Sequence, residues 1–267
     1  MGAVSASPDL HVKRLPAAHR TPGALAAEAA GLRWLAAAGG AAVVRVHAVD
    51  EDELVLDRVV ETRATPAAAE RFGRDLARTH AAGAPRFGAP PPGVEGDAWI
   101  AALRLPMTRE GEDLPWGAFY ARHRLQPYLR AARDAGTLDA DDVAVVERVC
   151  ARLEDGDEAL VAGGERPARL HGDLWSGNVL WSADGAVLID PAAHGGHPET
   201  DLAMLALFGA PHLDRVLAAH AEAAGTPGGW RERVPLHQLH PLLVHTVLFG
   251  GGYAAQAVRA ASACAAL

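Results

Sequence analysis

Apolar and polar positions over residues 9–60 switch between a strand-like and a helix-like period. Leu10 to Leu15 predicts a short strand. Thr21-Pro22 predicts a helix start, a cap residue followed by a proline in the first turn, and the helix runs through Leu35 to stop near Gly39-Gly40. Ala42 to Val46 and Leu54 to Val60 are β-branched runs divided by the acidic turn Asp50 to Glu53. From about residue 62 the period is mostly helical, over 66–82, about 115–135 and 139–154, with the proline-rich stretch Pro85 to Gly96 as a surface connection. Two apolar strands near 178–190 precede helices near 201–208, 211–224 and 236–265, and no internal repeat is present. The pattern predicts an α+β protein: a small sheet-bearing lobe over residues 1–60, hinged near Asp57 to Glu61 on a larger, mainly helical lobe over 61–267.

Composition narrows the function classes. The 267 residues are 49% apolar and 22% charged, which a folded chain of this length turns into a sizeable core. Lys plus Arg total 25 against 33 Asp plus Glu, a net charge of -8, and no basic run offers to neutralise a phosphate backbone, so nucleic acid is not expected as a partner. No membrane association is expected either: Glu28, Arg33 and Arg45 interrupt the richest apolar stretch, Met1 to Pro8 lacks the features of a leader, and Ala6 replaces the Ser or Thr of a myristoylation signal. Cys150 and Cys264 have no metal or redox spacing, which together with the rest predicts a cytoplasmic protein. The oligomeric state is not legible.

Lys13 is the only lysine; every other cation is arginine. A compact ammonium retained at one position is either a chance survivor or a place where the planar guanidinium does not fit. The helix at 23–37 carries a second anomaly. Leu25, Leu32 and Leu35 share one face, and Glu28 sits among them, three residues from Leu25 and four from Leu32. Either the helix is rotated and Glu28 is solvated, or the carboxylate is buried and needs a cation, which the neighbouring strand offers as Lys13. A strand lysine paired with a helix glutamate is the device kinases use on ATP phosphates.

The segment Leu170-His171-Gly172-Asp173-Leu174-Trp175-Ser176-Gly177-Asn178 carries the most chemistry. Asp173 and Asn178 have the spacing of the catalytic Asp and the metal-binding Asn of a kinase loop. Asn178 to Ser182 and Ala186 to Asp190 predict a hairpin closed by the three residues Ala183-Asp184-Gly185, which pairs 182 with 186, 180 with 188 and 178 with 190. Directly opposed, the Asn178 amide oxygen and the Asp190 carboxylate would share one hard cation, for which Mg2+ is the natural choice. Asp173, in the loop feeding this hairpin, would receive the proton of an attacking hydroxyl.

Neighbouring residues admit two readings each. His171 orients the loop by hydrogen bonding or serves as a second base. Trp175 is a core anchor or a stacking platform for substrate. Asp201 is the N-cap of the helix at 202–208 or a brace for the loop. The pairs His194/His197 and His237/His240 lack the accompanying pattern of a zinc site and read as packing or surface histidines.

Taken together, R-L-H-G-D-L-W-S-G-N-V-L-W (169–181), V-L-I-D-P-A-A-H-G-G-H-P-E-T-D-L-A-M-L-A-L-F-G (187–209), L-H-Q-L-H-P-L-L-V-H-T-V-L-F-G (236–250), P-W-G-A-F-Y-A-R-H-R-L-Q-P-Y-L (115–129), Val12-Lys13 and Glu28 to Leu32 resemble the fructosamine kinase (ketosamine-3-kinase) family within the aminoglycoside phosphotransferase-like kinases. The tryptophan after Gly-Asp-Leu is the most specific part. The resemblance implies a two-lobed protein-kinase-like fold and ATP-dependent phosphorylation of the sugar 3-hydroxyl of free or protein-bound ketosamines, whose phosphorylated adduct then falls off. It implies Asp173 as base, Asn178 and Asp190 as Mg2+ ligands, Lys13 and Glu28 on the ATP phosphates, Trp175 near the sugar, and Leu54, Val55 and Leu56 within the stretch to Arg58 that contacts adenine. Family members carry two further strands and a phosphate-covering loop before the Val-Lys strand, whereas twelve residues precede Lys13 here. That difference leaves a truncated sheet and a catalytically impaired, kinase-like binding protein as an alternative. Gly96 to Ala101 departs from the family's Asn-Tyr-Ile-Gly, which leaves an aminoglycoside or another hydroxylated amine as a further acceptor.

Overall fold

The structure, a computed structural model, describes residues 9–15, 21–164, 166–226 and 228–267; the reading of residues 1–8 lies outside them. The first elements are β1 (Leu10–Arg14), α1 (Ala24–Ala36), β2 (Ala42–Val43), β3 (Val46–Val49) and β4 (Glu53–Asp57). β4 is the middle of a three-stranded antiparallel sheet, with β1 on one side and β3 on the other, and Lys13 stands opposite Leu54. Strand alternation sends Leu54 and Leu56 to the face covered by Leu25, Ala29 and Leu32 of α1. Burial of each such leucine contributes about 1.5–3 kcal/mol.

Two sequence expectations shift here. α1 begins at Ala24 after Gly23 at φ 80°, and Thr21 supplies its carbonyl to the Ala24 N–H rather than a side-chain cap. The run 42–46 divides, because only β3 joins β4, while β2 turns away to pair in parallel with a strand of the hairpin below.

The rest of the chain is α2 (Pro66–Ala81), β5 (Ala98–Ile100), β6 (Leu103–Leu105), α3 (Trp116–Phe119), α4 (Gln126–Asp134), α5 (Ala140–Glu154), α6 (Glu158–Val161), β7 (Ala168–Leu170), β8 (Val179–Ser182), β9 (Gly185–Leu188), β10 (His194–Gly196), α7 (Pro198–Phe208), α8 (Leu213–Ala224), α9 (Val234–Phe249) and α10 (Gly252–Cys264). The starts of α2 and α5 carry their sequence signals: Thr65 accepts the Ala68 N–H, and Asp139 and Asp142 form a reciprocal capping box. α2 and α8 touch at Gly73, where a Cβ would fall 2.3 Å from the Val216 carbonyl oxygen.

Two long predicted helices are broken. The stretch 115–135 is α3, a wider π-helical stretch Tyr120–Leu125 and α4, which restarts with Pro127 in its first turn, where a missing N–H is tolerated. The stretch 236–265 is split by Gly250 and Gly251, whose φ of 61° and 58° glycine adopts without strain. Their turn folds α10 back on α9 and sets Tyr253 beside His245, ring centroids 4.9 Å apart. The connection Pro85 to Gly96 is not wholly on the surface, since Phe87 and Ala89 are buried. The β5–β6 hairpin escaped the reading because three-residue strands leave no period to detect.

The main core lies among α3, α4, α5, α9 and α10, around Trp116, Phe119, Tyr120 and Leu239. A second cluster, including Phe72, Leu76, Trp181 and Leu188, supports the β8–β9 hairpin. Cys150 and Cys264 are buried free thiols. Among the described residues no helix is long and apolar enough to cross a membrane.

Candidate active site

β7 and β10 pair antiparallel, His194 opposite Leu170, and deliver the chain into the loop that carries Asp173. Gly172 there has φ 81°, and a Cβ on it would fall 2.2 Å from the Ala192 carbonyl oxygen, so this position requires glycine. His171 points inward from the same loop. Its Nε2 donates to the Ile189 carbonyl at 2.9 Å and its Nδ1 accepts the Asp173 N–H at 3.3 Å. Both ring nitrogens are thus spent on backbone, which favours the orienting role over that of a second base.

The hairpin register differs from the expected one. Ser182 pairs with Gly185, Leu180 with Val187 and Val179 with Leu188, so the loop has two residues, Ala183 and Asp184, not three. Ser182 makes the tighter turn possible: its Oγ donates to the Gly185 carbonyl and accepts the Asp184 N–H. The one-residue slip places Asn178 against Ile189, whose N–H donates to the Asn178 carbonyl at 3.1 Å, and not against Asp190. Asp190 nevertheless reaches the site, because it follows the strand with a left-handed φ of 52°. The two candidate ligands converge through a backbone turn instead of a cross-strand pair.

Asn178 anchors this corner. Its Nδ2 donates to the Asp173 carbonyl at 2.8 Å, the Asp173 carboxylate at 3.0 Å and, more distantly, the Asp190 carbonyl at 3.4 Å. With the amide nitrogen so engaged, the Asn178 amide oxygen remains as a ligand atom, and Asp190 lines the same cleft. Hard oxygen atoms of this kind fit Mg2+. Burial raises the pKa of the Asp173 carboxyl above the ordinary carboxylate value, against the lowering influence of His171 and Asn178.

Lys13 crosses from β1 to the same place. Its Nζ donates to both Glu28 oxygens at 2.8 and 2.9 Å and to Asp190 Oδ1 at 3.0 Å. Burial disfavours the ammonium, but Glu28 and Asp190 outweigh it and hold the pKa above the usual lysine value. Gly31 lets α1 sit close to the Asp190 turn, since a Cβ there would meet Ala193 and Pro191 at 3.2 and 3.3 Å. Glu28 is therefore the paired carboxylate of the two readings, part-buried rather than solvated.

Asp201 is a correction in part. α7 begins at Pro198, and its cap is His197, whose Nδ1 accepts the Glu199 N–H, so Asp201 stands inside the helix rather than capping it. Its buried carboxylate accepts the backbone N–H groups of His171 and Gly172 at 2.8 and 2.9 Å and faces His80 Nε2 at 3.0 Å. Burial works against ionisation, yet His80 and these donors keep its pKa below the ordinary value. The brace on the loop is real; the sequence reading missed His80, which ends α2 and in turn meets His220 at 2.9 Å.

These residues open on a cleft of about 980 Å³ lined by Lys13, Glu28, Asp173, Asn178 and Asp190 at one end and by aromatic side chains at the other. Trp175 lies between, 41% exposed and edge-on to Phe208 at 6.2 Å, which excludes a core anchor. Gly177 lies under its ring. Leu54, Val55 and Leu56 do not line this cleft; Leu54 and Leu56 belong to the small-sheet core. The aromatic end, with Phe208, His245, Phe249 and Tyr253, went unnoticed in the sequence, where His245 is a lone polar position in an apolar run.

All four histidines of the two pairs are buried. His197 and His237 gather around Glu199, their ligand atoms within 4.8 Å of one another. Glu199 is already held by a two-point contact from Arg233, so the cluster is electrically balanced without an ion. His194 donates through Nδ1 to the Ala192 carbonyl at 2.8 Å.

Comparison with known proteins agrees with this geometry. The family model described as fructosamine kinase matches residues 11–266. The "Probable ketoamine kinase slr1563" of Synechocystis is 34% identical over 243 residues, 89% of this chain and 77% of the relative. The crystal structure of a "putative fructosamine-3-kinase" from Thermobifida fusca superposes with a TM-score of 0.87 at 49% identity, over 97% of this chain and 86% of that one. An ADP-bound aminoglycoside phosphotransferase, APH(2'')-Ib, shares the fold alone, with a TM-score of 0.59 at 10% identity over 98% of this chain and 93% of its own. The lysine–glutamate pair, the braced aspartate loop and the whole-chain match lead to one assignment: this chain belongs to the fructosamine kinase family.

Proposed function

We propose that this protein transfers the terminal phosphoryl group of ATP to the sugar 3-hydroxyl of a ketosamine, a ribulosamine or fructosamine formed on an amine. The observation that carries the reading is the convergence of Lys13, Asp173, Asn178 and Asp190 at one end of a cleft large enough for a nucleotide and a sugar. In this reading the nucleotide lies between the small unit (1–60) and the helical unit (61–267), with Leu54 to Leu56 leading into the adenine-contacting stretch. Asp173 accepts the hydroxyl proton as the sugar oxygen bonds to phosphorus and the bond to ADP breaks. Asn178 fixes the carboxylate for that task, and its hydrogen bonds limit the positions the base samples. Lys13, kept charged by Glu28 and Asp190, meets the phosphate oxygens. Asp190 and the amide oxygen of Asn178 would hold Mg2+, which supplies positive charge to the transferring group. The greater likeness to fructosamine kinases, 49% identity against 10% for the aminoglycoside enzyme, supports a ketosamine over an aminoglycoside. Phosphorylation of an adduct on a protein amine would lead to its loss and free the amine.

The test is to incubate the protein with ATP, Mg2+ and a synthetic ribulosamine and to locate phosphate on the product by 31P–1H NMR. A 3-phosphate is expected. Turnover of an aminoglycoside with none of the ribulosamine overturns the acceptor assignment, and absence of any transfer overturns the kinase reading.

A further inference from the structure

The aromatic end of the cleft is unusual for this molecule. Large exposed hydrophobic side chains are few among the described residues, Val60, Trp175 and Phe249, and two of the three stand at this end, Phe249 being 67% exposed. Around His245 the rings of Phe208, Phe249 and Tyr253 lie tilted at centroid distances of 5.1, 5.5 and 4.9 Å, and Trp175 extends the wall through Phe208. His245 itself is oriented: its Nδ1 lies 2.7 Å from the Pro241 carbonyl, which only accepts, so Nδ1 donates there and Nε2 of the neutral ring presents a lone pair. Lys13 is the only Lys or Arg among the described residues lining the cleft, and it is engaged at the far end by Glu28 and Asp190. The aromatic end thus offers ring faces and one imidazole nitrogen, with no Lys or Arg beside them to repel a positive guest.

A ketosamine brings such a guest. Its secondary amine is basic and is protonated near neutral pH, and only a short stretch of the sugar separates the nitrogen from the 3-oxygen. Wherever Asp173 holds that oxygen, the ammonium falls within the same cleft, whose lining includes both Asp173 and His245. Ring faces attract an ammonium, and more strongly as water is excluded.

Resting on the ketosamine reading above, we infer that Phe208, His245, Phe249 and Tyr253 form the seat of the acceptor's protonated amine, with the His245 Nε2 accepting its N–H. The seat makes the enzyme selective for an amine over an uncharged group at the sugar's C1. The turn at Gly250 and Gly251 has a purpose in this account, because without it Tyr253 would not return to His245.

The experiment compares two acceptors, 1-deoxy-1-propylamino-fructose and its ether counterpart 1-O-propyl-fructose, by kcat/KM in the wild type, Phe249→Leu, and the double variant His245→Leu with Tyr253→Leu. Leucine keeps apolar volume while removing the ring face or the lone pair. The wild type is expected to prefer the amine by about tenfold or more. The ratio should fall severalfold in Phe249→Leu and approach one in the double variant, the loss falling more heavily on the amine than on the ether. Because the ether reports on fold and chemistry, general damage cancels from the ratio; Phe249, being exposed, provides a variant that keeps its fold. An unchanged ratio in Phe249→Leu and in the double variant, or equal use of both acceptors by the wild type, overturns the inference while leaving the kinase reading intact. A wild type that phosphorylates neither sugar overturns both.

Discussion

Lys13 Nζ lies 3.0 Å from Asp190 Oδ1, across 177 positions of sequence, and so ties the small sheet to the turn that follows the β8–β9 hairpin. The ammonium is shared with Glu28, which leaves it charged but oriented. A guanidinium at this place is broader than the ammonium and would have to displace one carboxylate. Lys13→Arg is therefore expected to lower kcat/KM for ATP by roughly 100-fold, the scale on which one preorganised charged donor acts in a transition state. Steady-state kinetics with ATP varied decides this; an Arg variant within twofold of wild type would show that Lys13 is incidental.

The Asp201 carboxylate holds two loop N–H groups and faces His80 from a position 1% exposed. Asp201→Asn replaces one accepting oxygen by a donor pointed at donors. Unfolding in urea should report a loss of about 1–3 kcal/mol, the scale for leaving a buried hydrogen-bonding group without its partner. kcat should fall with it, because the loop bearing Asp173 loses its support. Unchanged stability would mean that the loop holds its shape without the brace.

Gly177 sits beneath Trp175, where a Cβ would come within 2.3 Å of the indole. Gly177→Ala must tilt the ring out of place. Since Trp175 is exposed and outside the core, the expectation is a raised KM for the sugar, by about tenfold, with the KM for ATP unchanged and stability altered by less than ~1 kcal/mol. Equal changes in both KM values would instead point to distortion of the adjoining Asn178.

Burial pushes the imidazoles of His194, His197 and His220 down to about 3, from an ordinary 6.5. Between those values the unfolded chain binds protons that the folded one refuses. The stabilisation is complete above pH 6.5 and is lost as pH falls towards 3, by ~1.4 kcal/mol per pH unit for each histidine. Urea midpoints measured from pH 7.5 to 4.5 should decline steeply; a flat profile would show that these rings titrate normally.

Much of this site was legible because its chemistry is local in sequence. Asp173, Asn178 and the Gly-Asp-Leu-Trp run lie within one loop, and the Lys13–Glu28 pair joins adjacent elements, so spacing and amphipathicity sufficed. Register was misjudged because the turn at 183–184 depends on a Ser182 hydroxyl that no pattern weighs. The cap at His197 was missed because histidine is an uncommon N-cap, and Asp201 offered a more ordinary one. His80 and the aromatic end were invisible for another reason: they meet the site only after α2 and α9 pack, contacts that depend on tertiary arrangement rather than on period. Helix breaks at Gly250 and Gly251 were written in the sequence, but the helical period on either side hid them.

The central claim is that Asp173 takes the proton of an attacking sugar hydroxyl. Asp173→Asn should keep the fold and the affinity for ATP, because the amide still accepts from Asn178. Single-turnover transfer of phosphate from ATP to a ribulosamine, with ATP binding measured on the same preparations, tests the claim directly. The account predicts that nucleotide binding is preserved and that transfer slows by roughly 10²–10⁴-fold in the variant. Transfer at the wild-type rate by a variant that binds ATP equally well would contradict it.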